Sequence, residues 1–452
     1  MMKNDLGKDN IGKLVKAIAI PCMIAQFVSV LYSIVDRMYI GNIAEIGSLA
    51  LAGVGVCGPI VTMISAFASL VGVGGAPLTS IAMGEGDNDK AGKIIGNAFL
   101  LMIVISIIVV IGIFPLRNMM LLAFGASQVT LPYASTYFTI VLLGTPFALL
   151  SVGMNNFINC QGQAKIGMFS VIIGAVCNMV LDPVFIFGLN MGVAGAAIAT
   201  VISQIVSAAF VLTVLFSKHL PVRLRLQKLE LSTCLNILRI GLTQFIIIAF
   251  DNIMIIAMNA QLQHYGGVEM GDVLISVNTI VQSLMLVVLM PLGGISGGTQ
   301  CILSYNYGAY QMERVKASYK YIAKVCVMFT STLFVLIWLF ARQFIYLFNN
   351  DPIIVETTIK AIRICTLFII PLGLQYELVD GMTALGQVKI SLGLSFFRKT
   401  VYFSALFILP IFFGSMSIFA AEALSDIVAP IVSTFIVKRN LDPILEWRMS
   451  MR

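Results

Sequence analysis

Three acids stand inside stretches that are otherwise apolar. They are Asp36 in "LYSIVDRMYIG" (31–41), Asp182 in "NMVLDPVFIFGLNMGVAGAAIAT" (178–200), and Asp251. An acid at the centre of a lone helix in lipid costs roughly 2.5–3.5 kcal/mol, so each needs a partner or a water-filled cavity. Desolvation penalises the charged form of a carboxyl, and an intramembrane acid can then exchange a proton for another cation. Asn178 and Asp182 are four apart and share a helix face. Pro183 removes a backbone donor and bends a helix, which frees carbonyl oxygens. Gly192 and Gly195 permit a tight turn and close packing before the next helix presents Thr200. An amide oxygen, a carboxylate and a hydroxyl are the chemistry of a Na⁺ or proton site. The competing reading is a helix-packing motif closed by an Asp–Asn hydrogen bond. Asp36 lies about 7.5 Å by helical rise from the far end of its helix. Arg37, its neighbour in sequence, does not face it. The alternative for Asp36 is an interfacial acid that reaches lipid headgroups.

These acids are carried by a chain of 452 residues that is 59% hydrophobic and 11% charged, with mean hydropathy +0.98. Runs of about 20 apolar residues cross about 30 Å of hydrocarbon as helices. Twelve are expected, at 14–40, 48–83, 92–114, 129–158, 166–188, 192–216, 234–260, 272–304, 318–341, 353–381, 388–411 and 414–437. The alternation of a membrane barrel is missing. Most of the 28 Lys and Arg, from Lys3 and Lys8 to Arg448 and Arg452, fall on one side of this topology. Basic residues are retained in the cytoplasm, so both termini are expected there, in a multi-pass protein of a plasma membrane. The net charge of +7 follows from this bias and argues for no nucleic-acid partner. The eight cysteines lie mostly within spans without CxxC spacing and read as packing residues. The first span reads as a retained helix, not a removed signal.

The chain repeats itself at an offset of 224. Gly84 maps to Gly308, Asp89-Lys90 to Glu313-Arg314, Phe124 to Phe348, and "GQAKI" (162–166) to "GQVKI" (386–390). Six spans per copy is an even number, so both copies enter the bilayer from the same side. Such parallel repeats are related by an axis along the membrane normal, with a substrate site between the bundles. The expected fold is all-α and polytopic. An N-terminal six-helix bundle (1–217), a basic linker (218–232) and a C-terminal six-helix bundle (233–452) enclose a V-shaped central cavity.

Taken together, "LYSIVDRMYIG", "LDPVFIFGLNMGVAGAAIATVISQ" and the paired loops "SIAMGEGDNDKAGKIIGNAF" and "LSYNYGAYQMERVKASYKYI" resemble the multidrug and toxic compound extrusion (MATE) transporters. The resemblance spans essentially the whole chain, and the small loops look most like bacterial MepA-type members. It implies export of cationic amphiphilic drugs and dyes against an inward flow of H⁺ or Na⁺. It also implies a coupling-cation site at Asp36, Asn178, Asp182 and Thr200.

In the second half, Asp251 matches an acid found in the seventh helix of many members, where Glu is commoner. Leu374 stands where the same members often carry Asp, and Glu377 and Asp380 are close but out of register. The resemblance therefore carries no second cation site onto this half. Arg398, Lys399, Glu422 and Asp426 lie within spans eleven and twelve. Two accounts fit them: ion pairs between helices, or residues of a C-terminal-half cavity together with Asp251, Glu377 and Asp380. The alternative function is a lipid-linked oligosaccharide flippase, which asks for Lys and Arg in the cleft to hold a diphosphate. No GxxxxGK[ST] loop occurs, so ATP does not drive transport from this chain. The two histidines, His219 and His264, are placed in loops, and no cofactor and no enzymatic activity are expected. A monomer is the simplest expectation for a duplicated chain.

Overall fold

The structure is a computed structural model that describes residues 5–44, 46–218, 220–348 and 351–451. Lys3, His219 and Arg452 lie outside the described residues. In lipid every backbone N–H and C=O must be satisfied within the chain, so the apolar runs become helices. Those of the first half are α1 (Ile11–Gly41), α2 (Gly47–Gly84), α3 (Asn88–Ile113), α4 (Arg117–Ala123), α5 (Leu131–Asn159), α6 (Ala164–Pro183) and α7 (Gly192–Phe216). The second half comprises α8 (Leu231–Gly267), α9 (Val273–Gly308), α10 (Met312–Tyr346), α11 (Pro352–Cys365), α12 (Ile369–Ala384), α13 (Val388–Phe413) and α14 (Ala420–Met449). No strand occurs among the described residues. The helices form two bundles of six crossings each.

Asparagine and aspartate side chains start several of them. Asn10 accepts from the Gly12 and Lys13 amides, Asp87 from Lys90, and Asp351 from Ile353, satisfying donors that the first helical turn leaves free.

The tenth span differs from the expectation. It is not one helix over 353–381, because α11 ends at Cys365 and α12 starts at Ile369. Pro371 is the reason: in a continuous helix its ring would strike the Leu367 carbonyl, and its missing N–H would leave that carbonyl unbonded. α11 buries Val355, Ile359 and Ile362 on one face and exposes Glu356, Lys360 and Arg363 on the other. The charges read as lying within a span thus sit on the exposed side of an amphipathic helix. His264 is also corrected: it lies in the last turns of α8, which runs on to Gly267, rather than in a loop. Gly267 breaks the helix with φ 63° and ψ −162°.

The repeat is visible in the backbone. Gly162 and Gly386, 224 apart, turn with φ of 78° and 73°. Gly86 and Tyr310, also 224 apart, turn with φ of 83° and 58°. The second copy holds the same left-handed turn with a residue that ordinarily avoids it.

The first and last described segments of the chain lie on one face, the termini face. Arg314 donates to the Leu6 and Asp9 carbonyls, and Arg448 pairs with Glu85 at 2.5 Å. The halves meet near that face, where small residues let backbones touch. Gly74 faces Gly241, Gly84 faces Gly308, and Gly294 and Gly298 face Cys22. Phe67 and Phe245, with ring centroids 5.0 Å apart, are the contact between α2 and α8 farthest from the termini face in this series. On the opposite face the glycines of α2 and α7 pack within their own half, Gly53 on Thr130 and Gly195 on Phe185. The halves therefore diverge above Phe67 and Phe245 as a V open on the face away from the termini.

Candidate functional site

Asp36 is reached by following α1 past the crossing with α9 at Cys22 and Gln26. Ten further residues are about 15 Å of helical rise, which places Asp36 in the half of the protein where the bundles diverge. α6 approaches it from the same bundle. The α-helix of α6 stops at Pro183 and continues as one π-helical turn, Val184–Gly188. The Leu189 amide closes that turn on the Val184 carbonyl at 2.8 Å. Asn190 and Gly192 then turn with φ of 52° and 55°. Gly195 brings α7 against the π turn so closely that a Cβ there would lie 2.7 Å from the Phe185 carbonyl carbon. This folding carries Thr200 back toward Asp182.

The result is a compact polar cluster in apolar surroundings. Asp182 is 0% exposed, Asn178 1% and Asp36 9%. Asn178 Nδ2 donates to Asp182 Oδ1 at 3.1 Å. The Asp36 and Asp182 carboxyls lie within hydrogen-bonding reach of each other. Thr200 joins through the Tyr137 hydroxyl, which lies within its hydrogen-bonding reach, and Tyr137 also faces Asp36. Tyr32 faces both acids from one turn before Asp36. All four residues named from sequence thus come together. Two tyrosines that the sequence reading passed over complete the group. Tyr32 was legible in principle, being four residues from Asp36; Tyr137 comes from α5 and had no local signal.

Three buried oxygens in this cluster have no donor among the described residues: Asp36 Oδ1, Asn178 Oδ1 and Asp182 Oδ2. Unpartnered buried polar atoms are rare, because each forfeits its hydration without return. Three unpartnered acceptors, two of them carboxyl oxygens, fit a small cation held by oxygen, either a proton shared between carboxyls or a bare Na⁺.

The MatE family profile matches residues 21–184 and 248–408, one segment in each half. The chain belongs to the MatE family. It is similar to the multidrug export protein MepA of Staphylococcus haemolyticus, 25% identical over 433 residues that cover 95% of this chain and 94% of the relative. MepA of Staphylococcus aureus is 24% identical over 436 residues, 94% of each chain. Among solved structures, a multidrug resistance MATE family transporter in an outward-facing conformation superposes with TM-score 0.91 at 23% identity, covering 99% of both chains. A transporter of the same superfamily from Pyrococcus furiosus, described by a reversed polarity of its binding pocket, superposes with TM-score 0.91 at 24% identity over 97% of this chain and 98% of its own. These likenesses establish the fold.

The second half of this MatE protein handles its charges differently from the first. Arg398 on α13 donates to Glu422 at 2.7 Å and to Asp426 at 2.9 Å, both on α14. Lys399, next to it in sequence, forms an ion pair with Asp251 of α8. Asp251 keeps half of its side chain exposed, whereas Lys399 is buried. Arg398 and Lys399 are therefore both committed to acids, an arrangement poorly suited to gripping a diphosphate. Asp380 accepts from Ser296 at 2.5 Å, and Glu377 is 1% exposed with Oε1 unpartnered. The residues grouped as a C-terminal-half cavity thus fall into two sets. Asp251, Arg398, Lys399, Glu422 and Asp426 belong to ion pairs, while Glu377 and Asp380 belong to none among the described residues and face α9 and α10, with Tyr376 between the two sets.

Proposed function

We propose that this MatE protein is a multidrug efflux transporter that exports cationic amphiphilic compounds by antiport with H⁺ or Na⁺. One observation carries the reading: Asp36 and Asp182 are buried side by side with unpartnered oxygens, and neither forms an ion pair among the described residues, Arg37 acting on Asp36 only through space. Two carboxylates in that position repel each other unless a cation sits between them. With the cation bound, Asp36 and Asp182 hold α1 against α6; with it released, their repulsion pushes α1 away. The ion changes the balance of conformations only through different affinities for them. Asn178 fixes the Asp182 carboxyl, and Tyr137 ties Thr200 to the same cluster.

The V open away from the termini is the state that would release a drug outward if the basic termini face is cytoplasmic, as the distribution of Lys and Arg suggests. Relatives named multidrug export proteins over nearly the whole chain support drugs as cargo. The decisive measurement is efflux of a fluorescent cation from cells or vesicles with pH and Na⁺ varied independently. Asp36→Asn is expected to abolish efflux while the protein still reaches the membrane. Undiminished efflux by that variant refutes the coupling role.

A further inference from the structure

The intramembrane acids of the two halves sort by whether a positive side chain answers them. Asp251 has Lys399, and Glu422 and Asp426 have Arg398. None of the ion pairs among the described residues includes Glu377 or Asp380. Both belong to α12, three residues apart and hence on neighbouring positions of one face. Glu377 is 1% exposed, and its Oε1 has no hydrogen-bond partner among the described residues. Asp380 Oδ2 takes the Ser296 hydroxyl at 2.5 Å, and Gln300, one turn further along α9, lies within hydrogen-bonding reach of Asp380. The other titratable groups that face the pair are Tyr319 and Cys326 of α10; Tyr376 of α12 faces Asp380 and, on its other side, Arg398, which is already paired with Glu422 and Asp426. A buried carboxylate without a counter-charge is among the costliest arrangements a protein can hold.

We infer that Glu377 and Asp380, with Ser296 and Gln300, form a second small-cation site in the C-terminal half, taking up one proton or one Na⁺ independently of Asp36 and Asp182. Glu377 supplies the free acceptor oxygen, and Ser296 and Gln300 hold Asp380 toward α9. Ser296 stands between Gly294 and Gly298, which seat α1 at Cys22, so the site lies at the level where the two halves meet. The inference deepens the antiport reading, on which it rests for what the bound ion would do; the binding itself is a separate matter.

Difference infrared spectra of the full-length protein in detergent test it, recorded while pH is stepped at fixed Na⁺, and while NaCl replaces choline chloride at fixed pH. A carboxyl C=O component should respond in the native protein, persist in Asp36→Asn/Asp182→Asn and vanish in Glu377→Gln/Asp380→Asn. A response to pH alone assigns the proton, and a response to NaCl assigns Na⁺. Identical titrations with and without Glu377 and Asp380 overturn the site, since the two carboxyls would then carry permanent protons. If that double variant does not fold, Ser296→Ala replaces it. Loss of its hydroxyl should shift the midpoint of the same component, and an unmoved midpoint overturns the site equally. Failure of the antiport reading would show instead as intact dye efflux in Asp36→Asn, a different readout.

Discussion

Gly84 and Gly308, related by the internal repeat, interlock where α2 crosses α9. A Cβ on Gly308 would sit 2.8 Å from the Ile81 Cα, and one on Gly84 would sit 2.8 Å from the Ala309 amide nitrogen. The obstacles are backbone atoms, so a side chain cannot rotate away. Overpacking of this kind costs about 1–3 kcal/mol. Gly308→Val should therefore weaken the closed face, lowering the thermal unfolding midpoint in detergent and reducing dye efflux. A variant with an unchanged midpoint would show that the helices separate there without cost.

Tyr137 links Thr200 to the Asp36 side of the cation cluster. Tyr137→Phe keeps the ring and removes the hydroxyl. A typical hydrogen bond contributes about 0.5–1.5 kcal/mol, which is about two- to tenfold in an equilibrium. Half-maximal efflux should need that much more of the coupling ion, with the maximal rate retained. Titration of efflux against Na⁺ and against pH measures the shift.

Arg398 neutralises two buried acids at once. Removing a single partner from a buried ion network is strongly destabilising, about 3–5 kcal/mol, because it strands the remaining charge. Arg398→Leu is expected to reduce the amount of folded protein recovered from membranes. The triple variant Arg398→Leu/Glu422→Gln/Asp426→Asn should restore it. If the triple variant is as poor as the single one, the guanidinium has a packing role beyond charge balance.

On the termini face, Arg448 reaches across from the end of α14 to Glu85, with its guanidinium 4.6 Å from the Tyr310 ring and 5.2 Å from the Tyr307 ring. Burial works against the Glu85 charge, yet Arg448 and Lys90 together hold its carboxyl below the usual carboxylate range. A depressed value means that the contact stabilises above the unfolded carboxylate range and is lost as pH falls through the folded value. The bridge should thus persist at neutral and mildly acidic pH and open only in strong acid. Trp447 adjoins Arg448, and the chain has only two tryptophans. In a Trp338→Phe background, Trp447 fluorescence should follow that titration, and Glu85→Gln should abolish its pH response.

Much of this was legible in the linear chain. Apolar runs and basic loops gave the crossings, and a single offset gave the duplication. Asn178 and Asp182 share a helix face by their spacing alone. The break in the tenth crossing was also written there, in Pro371, but a window of average hydropathy passes over one residue that lacks an N–H. Tyr137 and Ser296 were not legible, since each reaches its acid from a different helix.

What the sequence by itself determined is where helices must form and which residues are costly in them, because a backbone in lipid has no other way to satisfy its polar groups. What only the tertiary structure decided is which of those costly residues are compensated. Asp251 and Lys399 are 148 positions apart and pair, whereas Glu377 and Asp380 lie in the same bundle and meet no positive side chain among the described residues. Charge balance depends on distances across helices, and those are set by packing, not by spacing along the chain.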